Sequence, residues 1–368
     1  MKELAFTSIV LYFFAPFFIS CSDNSKDDKD EMTLIEEKYP PNPMEAYVPL
    51  FSDNASSMKS VLGYGLDVMG EIGSYQSVKA QIIDVEKMEA ESTLSVIKIG
   101  GFASYSEDLY GENRKEYLKQ LPSFFLDSNT MKQEELKGKI LFTKGLDKYD
   151  FLSDAKSEYS YRSVHNYYLR YRYYYNALTA KRYVKQSFLN DLSALSPTEI
   201  IEKYGTHVIA EFYDGTRFDL LYMAKIAPSR YSYKGETITV ENNKREAVKV
   251  GYYKAMQESM VGSMNMESIP EKTQTLLKAN INPILYLNAI GGDRSVLNRG
   301  FFNLEKMYPN SHMSEWYKTI SDIHNDELFR MVKIRQLTPI YELIKDSEKR
   351  EELKKAVLNY IAEKQNEN

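Results

Sequence analysis

Tyr204-Gly205-Thr206-His207-Val208, followed after Ile209-Ala210-Glu211-Phe212-Tyr213-Asp214 by Gly215, is the stretch whose reading decides the fold. Just upstream, Ser196-Pro197-Thr198-Glu199 sets a hydroxyl at an N-cap, proline at the first helical position and glutamate three after the cap. A helix starts there, with Ile200, Ile201 and Tyr204 on its apolar side, and Gly205 can end it in the left-handed conformation without a Cβ penalty. From Thr206 to Tyr213 most residues are β-branched or aromatic, which predicts a strand, and Asp214-Gly215 is a hairpin-turn signal. A second strand then runs from Thr216 to Ile226. On it Phe218, Leu220, Tyr222, Ala224 and Ile226 alternate with Arg217, Asp219 and Lys225, the period of a half-buried strand.

This helix, Tyr-Gly-Thr-His, strand and glycine order resembles the signature of the membrane attack complex/perforin (MACPF) family. Val208 stands where that family has an aromatic residue, and Gly215-Thr216 where it has a glycine pair, so the hinge role implied for the pair rests here on Gly215. Outside the signature, Gly63-Tyr64-Gly65-Leu66-Asp67-Val68 resembles the family's opening segment, Gly291-Gly292 its later hinge glycines, and Leu337-Thr338-Pro339-Ile340 its closing segment. The resemblance spans about residues 60–360. It implies an α+β, MACPF/cholesterol-dependent-cytolysin-like fold: a bent, twisted four-stranded antiparallel sheet flanked by two helical clusters. It further implies that the clusters unfurl into β-hairpins and insert once subunits have assembled into a ring. The partners implied are membrane lipid, further copies of the chain, and a surface glycan or protein as receptor. No cofactor is implied.

The chain has 368 residues, yet no linker rich in Pro, Gly or Ser divides it after residue 60, so residues 46–368 are expected to form one domain. Net charge is −5 and the basic residues form no dense stripe, which leaves nucleic-acid binding without support. Thirty tyrosines suit either long strands or a sugar-facing surface; aromatics packed on sheets are the favoured reading.

At the N-terminus, Lys2 precedes an apolar run from Leu4 to Ile19 broken only by Thr7, Ser8 and Pro16. That length fits a secretory signal and is short for a membrane span. Ser20-Cys21 ends the run with the only cysteine of the chain, which therefore has no internal disulfide partner. Its position at a cleavage site argues for thioether lipidation, as in bacterial lipoproteins. Residues 1–20 are thus read as a signal peptide. The charged run Ser22–Glu31 and Pro40-Pro41-Asn42-Pro43 make residues 21–45 an acidic, proline-rich tether. Acidic runs of this kind resemble the surface-export signals of lipoproteins in Gram-negative gut bacteria, so the expected location is the outer-membrane surface, or the medium after release.

A sheet is easy to find. Between Ser157 and Asn176, Tyr159, Tyr161, His165, Tyr167, Leu169, Tyr171, Tyr173 and Tyr175 share one side of a strand and Arg162, Asn166, Arg170 and Arg172 the other. Either Val78 to Val85 or Leu94 to Tyr105 supplies the strand before it, and Ile284 to Ile290 the fourth. The segments left to insert are then roughly residues 125–158 and 228–280. In the second, Val248, Tyr252, Met256, Met260 and Met264 recur every four residues as a helical stripe, with Lys254 and Glu258 paired on the opposite face. On a strand those two charges would join the apolar face, and a lysine at the bilayer midplane costs about 2–4 kcal/mol.

Catalysis finds little footing. His165 lies on the tyrosine strand and His207 in the signature, and His312 and His324 have no ligand spacing, so no metal site is expected. There is no Gly-x-Ser-x-Gly elbow and no phosphate-binding glycine loop, and the chain is not expected to be an enzyme. His207 reads as a hydrogen-bonded junction residue. After the fourth strand, a mixed region around Trp316 leads to a terminal helix from Asp346 to Ala362, with Leu353, Ala356, Val357, Tyr360 and Ile361 on one side. The function expected is a surface lipoprotein that forms pores against competing bacteria. The opposing expectation is a non-lytic adhesin or glycan/protein-binding module on the same fold.

Overall fold

Residues 196–226 demand a capped helix followed by extended chain, and the structure builds both but omits the turn. The computed structural model describes residues 61–70, 77–142, 159–228, 230–233, 236–239, 244–260, 269–306, 308–321 and 325–366. The chain divides into two units, Met1–Leu34 and Ile35–Asn368, and every described residue belongs to the second. The expectations for residues 1–45, Cys21 included, and for Met264 and His324 lie outside the described residues.

The strands are β1 (Tyr64–Leu66), β2 (Val78–Gln81), β3 (Leu94–Gly111), β4 (Tyr159–Tyr175), β5 (His207–Ile226), β6 (Arg230–Tyr233), β7 (Glu236–Thr239), β8 (Asn280–Ile290), β9 (Gly300–Asn303) and β10 (Arg330–Pro339). The helices are α1 (Val85–Ala90), α2 (Arg114–Gln120), α3 (Ala177–Ala180), α4 (Gln186–Ala194), α5 (Pro197–Tyr204), α6 (Lys244–Met260), α7 (Glu271–Lys278), α8 (Met313–Thr319) and α9 (Ser347–Asn366). Strands β3, β4, β5 and β8 lie side by side and antiparallel, which is the four-stranded sheet the motif order implied. It forms part of an eight-stranded sheet, because the first half of β5 also pairs with β1 and β10, β1 with β2, and β8 with β9. Of the two candidates for the strand before β4, Leu94 to Tyr105 is the one used; Val78–Gln81 sits at the far edge, on β1.

The expected hairpin at Asp214-Gly215 is absent, and His207–Ile226 is one strand of 20 residues. Both residues are engaged otherwise. A Cβ on Gly215 would overlap the Tyr168 carbonyl oxygen, so glycine is required for close approach to β4 rather than for a turn. Opposite it β4 bulges at Arg170, since Leu169 faces Gly215 while Tyr171 faces Asp214. The buried Asp214 carboxylate accepts from Arg170 Nη2 at 2.5 Å and from the Tyr171 N–H at 2.9 Å, which fixes the bulge. Bulges bend a strand and increase its twist. The second half of β5 is not half-buried either, for Arg217 and Asp219 are as buried as Phe218.

Helix α5 begins as read. The Ser196 N–H donates to Glu199 at 2.8 Å and Ser196 Oγ accepts from the Glu199 N–H at 3.4 Å, completing the capping box. Gly205 takes a positive φ of 75°, but its ψ of −161° leads straight into the strand instead of a left-handed cap. In α9, Leu353, Val357 and Ile361 are buried, with Ala356 and Tyr360 packed partly against the main core. The stripe expected on α6 holds in its first half: Val248 and Tyr252 are buried, together with Ala247, Gly251, Ala255 and Ser259, whereas Met260 is exposed. Close contact with the sheet selects small side chains there, because a Cβ on Gly251 would meet the Tyr222 ring and the Asn280 amide.

Candidate functional site

The three motif segments meet at the start of β5. Thr206 Oγ1 donates to the Leu66 carbonyl and accepts from the Val68 N–H, both at 3.2 Å, and the Ile340 N–H donates to the Thr206 carbonyl at 3.1 Å. Opening, signature and closing segments are thereby tied through one buried threonine. The buried His207 ring lies 2.9 Å from Thr206 Oγ1 through Nδ1 and 3.4 Å from Glu135 Oε1 through Nε2. Burial works to raise the Glu135 carboxyl, but its bond with His207 and its other partners outweigh that and hold it below the usual range. Tyr204 is buried and donates its hydroxyl to Asp191 at 2.5 Å.

Further along, β5 changes partners. Gly215 is the last position paired with β10, through Arg330, and Arg217 the first paired with β8, through Ile290. Gly291 and Gly292, just beyond β8, have φ of 74° and 66°, where glycine is the favoured residue. A Cβ on Gly291 would come within 2.8 Å of the Thr216 methyl and 3.2 Å of the Gly215 carbonyl oxygen. The hinge glycines of the sequence reading therefore converge, and Thr216 fills the place of the missing second glycine. Trp316 seals the junction by donating Nε1–H to the Gly291 carbonyl at 3.0 Å.

One feature escaped the sequence. On the face of β4 and β5 that carries Tyr161, Ser163, His165, Tyr167, Arg217 and Asp219, a buried polar chain runs from α2 to β10. Tyr117 of α2 donates to Ser163 Oγ at 3.0 Å, Ser163 Oγ lies 2.9 Å from His165 Nε2, and His165 Nδ1 lies 2.6 Å from Asp219. Arg217 Nε donates to Asp219 at 2.8 Å and Arg217 Nη1 to the Val332 carbonyl at 3.0 Å. Burial works to raise the Asp219 carboxyl, but the Arg217 guanidinium and His165 hold it below the usual range. Ser163, His165 and Asp219 follow the order of a nucleophile, base and acid, but all three are at most 2% exposed. Phe124 stacks on the His165 ring at 4.8 Å, so no substrate carbonyl reaches Ser163. The signal was present in part: Arg217 and Asp219 share a strand face, but only the pairing of His165 with Asp219 reveals the chain.

Two long crossovers leave the same end of the sheet. Residues 112–158 join β3 to β4 and residues 227–279 join β5 to β8, so the first begins before the expected residue 125. From 112 to 142 the first crossover is built into the core. Tyr117, Leu121, Phe124, Phe125, Leu126, Leu136, Leu141 and Phe142 belong to the main apolar cluster. Leu126 pairs in parallel with Ile334, whose N–H donates to the Phe125 carbonyl and whose carbonyl accepts from Asp127, both at 2.8 Å. In the second crossover, α6 lies on the opposite sheet face, against Arg162 and Tyr222. The helix is held by Arg162, which grips Asp108 with two bonds of 3.0 and 2.6 Å and covers the Tyr252 and Tyr253 rings at 4.7 and 4.8 Å. Lys254 and Glu258 pair at 2.8 Å as read, but both are largely buried, with Lys254 also donating to Tyr308 at 2.7 Å. Among the described residues no group of His, Cys, Asp or Glu side chains could hold a metal ion, and no helix is long and apolar enough to cross a membrane.

A family model described as the MAC/Perforin domain matches residues 129–368. Among solved structures, GNIP1Aa from Chromobacterium piscinae is similar with a TM-score of 0.60 and 19% identity, over 83% of this chain and 56% of that one. A MAC/Perforin-domain protein from Bacteroides thetaiotaomicron VPI-5482 is similar with a TM-score of 0.54 and 12% identity, over 83% of this chain and 60% of that one. The chain thus spans under two thirds of the length of either structure. A comparison with curated protein sequences finds no match.

Proposed function

Because the chain belongs to the MAC/Perforin domain family, we propose that it is a lipid-anchored surface protein whose copies assemble into a β-barrel pore in the membranes of competing bacteria. The observation that carries this reading is the pair of crossovers. Antiparallel neighbours need only a two-residue turn, yet β3 and β4 are joined by 47 residues (112–158) and β5 and β8 by 53 (227–279). A barrel strand crosses a bilayer with about 9–11 residues, so chain for extending these strands is stored at one end of the sheet. Anchoring through Cys21 on the outer-membrane surface rests on the leader read in residues 1–21, and it sets neighbouring bacteria within reach as targets. The protein acts by binding and assembly, without covalent chemistry of its own.

The test is dye release from liposomes of target-cell lipids, with electron microscopy of the same membranes. Leakage with rings is expected. Intact liposomes without rings, across lipid mixtures and with target extracts added, would remove the pore reading. Cys21→Ala should release the protein from the membrane fraction, and unchanged fractionation would show the anchor to be wrongly assigned. The non-lytic adhesin or glycan/protein-binding reading draws on one observation, the packing of apolar side chains from Tyr117 to Phe142 into the main core. It predicts saturable binding to target cells with no leakage.

A further inference from the structure

A cavity of about 220 Å³ lies between α4, the turn after α3 and the residues that lead from β10 into α9. These segments adjoin the last residue of β4 and the paired ends of β5 and β10, so the cavity sits at the end of the sheet from which neither crossover leaves. Leu343 and Ile344 of its lining are buried in the main core, and Val184 and Leu192 pack against that core. Leu189, also in the lining, is 39% exposed and stands at the mouth. An apolar hollow with a few convergent polar groups is the general form of a ligand site.

The polar groups here are mostly of one sign. Lys181, Lys345 and Lys349 bring three ammonium groups to the cavity. Lys349 Nζ donates to Ser193 Oγ at 2.9 Å, which ties α9 to α4 across the mouth. Asp346 is the one acid of the lining, and its Oδ1 accepts from the N–H groups of Glu348 and Lys349 at 2.9 and 3.1 Å. Its charge is thereby matched to the positive start of helix α9, and the lining offers the three lysines no other carboxylate.

We propose that this cavity binds a single aliphatic chain that ends in a carboxylate, a free fatty acid of short or medium length. The walls select the chain, since all five apolar side chains of the lining are aliphatic and suit a flexible hydrocarbon. The lysines select the head: an ammonium is a point charge on a flexible stem with rotatable donors, and three of them around one mouth favour an anion. Size selects the number of chains. At about 220 Å³ the cavity is smaller than the roughly 300–1,000 Å³ of pockets for drug-sized ligands, so one chain end enters and the paired chains of a membrane lipid do not. The site touches neither crossover and is independent of the pore reading.

Calorimetric titration of the full chain with octanoate, kept below the concentration at which it forms micelles, should show saturable binding of one molecule per chain. Affinity should tighten about fourfold for each methylene added between butanoate and octanoate, as burial of one methylene requires. Octylamine, with the same chain and the opposite charge, should bind at least tenfold more weakly. Lys181→Glu with Lys345→Glu should weaken octanoate binding at least tenfold, and Leu189→Trp, which fills the mouth, should abolish it. Should Leu189→Trp fail to fold, shifts of the Leu189, Leu192, Leu343 and Ile344 methyl signals when octanoate is added to the parent locate the ligand instead. No saturable binding of octanoate, equal binding of octylamine, or full affinity in both variants overturns the proposal. Vesicles of anionic phospholipid that shift those methyl signals where octanoate does not would also overturn it, by making the patch a membrane contact.

Discussion

At the scale of single residues, the buried chain from Tyr117 to Arg217 makes a pH prediction. The Asp219 carboxyl is held below its usual range in the folded protein by Arg217 and His165, against the effect of burial. A depressed carboxylate pKa gives stability that is present above the unfolded value, about pH 4, and is lost as pH falls through the folded value. The melting temperature should therefore drop as pH is lowered from about 6 to about 3. Asp219→Asn should cost about 3–5 kcal/mol at neutral pH, since it removes the carboxylate paired with the buried Arg217 charge. The same substitution should flatten the acid slope relative to the wild-type melt over that range, and equal slopes would refute the assignment. In the sequence only the shared strand face of Arg217 and Asp219 hints at this chain. His165 read as one polar residue on a tyrosine strand, because its partner Asp219 is 54 residues away and was itself assigned to a solvent face. By contrast the capping box at Ser196 and Glu199 was legible, since its partners lie three residues apart.

At the scale of elements, Arg162 attaches α6 to the sheet. Its guanidinium lies over two aromatic rings and is bidentate to Asp108, whose side chain is half exposed. Arg162→Ala therefore strands no buried charge and should cost about 2 kcal/mol, the scale of a desolvated cation–π contact. Its larger effect should be local: trypsin should cut at Lys249 and Lys254 sooner than in the parent, while the global melt moves little. Unchanged cleavage at both sites would show that Arg162 does not hold the helix. Here the sequence was readable where local pattern decides and misleading where a distant element does. The tyrosine and arginine alternation announced β4, whereas Asp214-Gly215 promised a turn that the bulge at Arg170 and the approach of Tyr168 replace with continuous strand. The apolar side of α6 was right at Val248 and Tyr252 but not at Met260, because contact with Tyr222 and the sheet selects small side chains such as Gly251. The core role of residues 121–142 depends on partners about 200 residues on, which no local pattern shows.

At the scale of the whole molecule, the two outer strands of the central four differ in how they meet a neighbour. Among the described residues β3, 18 residues long, pairs only with β4, and no described strand lies along its other side. Val96 and Ile97 on it are 45% and 42% exposed. Such an edge is a template for pairing with another chain. On the far side, β8 is covered by β9 over only Ile284 to Leu287. If the proposed assembly joins β3 of one copy to β8 of the next, the contact is head-to-tail and closes into a ring when the rotation between copies allows. Such a contact along residues 284–287 would require β9, which pairs there, to move aside. Ile284→Cys with Asn303→Cys, at directly paired positions on the two strands, should fix β9 in place when oxidised. The locked protein should bind membranes as single copies and assemble only after reduction, as read by electron microscopy and by detergent-resistant species on agarose gels. Rings formed by the oxidised protein would mean that copies meet through some other surface, and that the short strand on β8 does not control assembly.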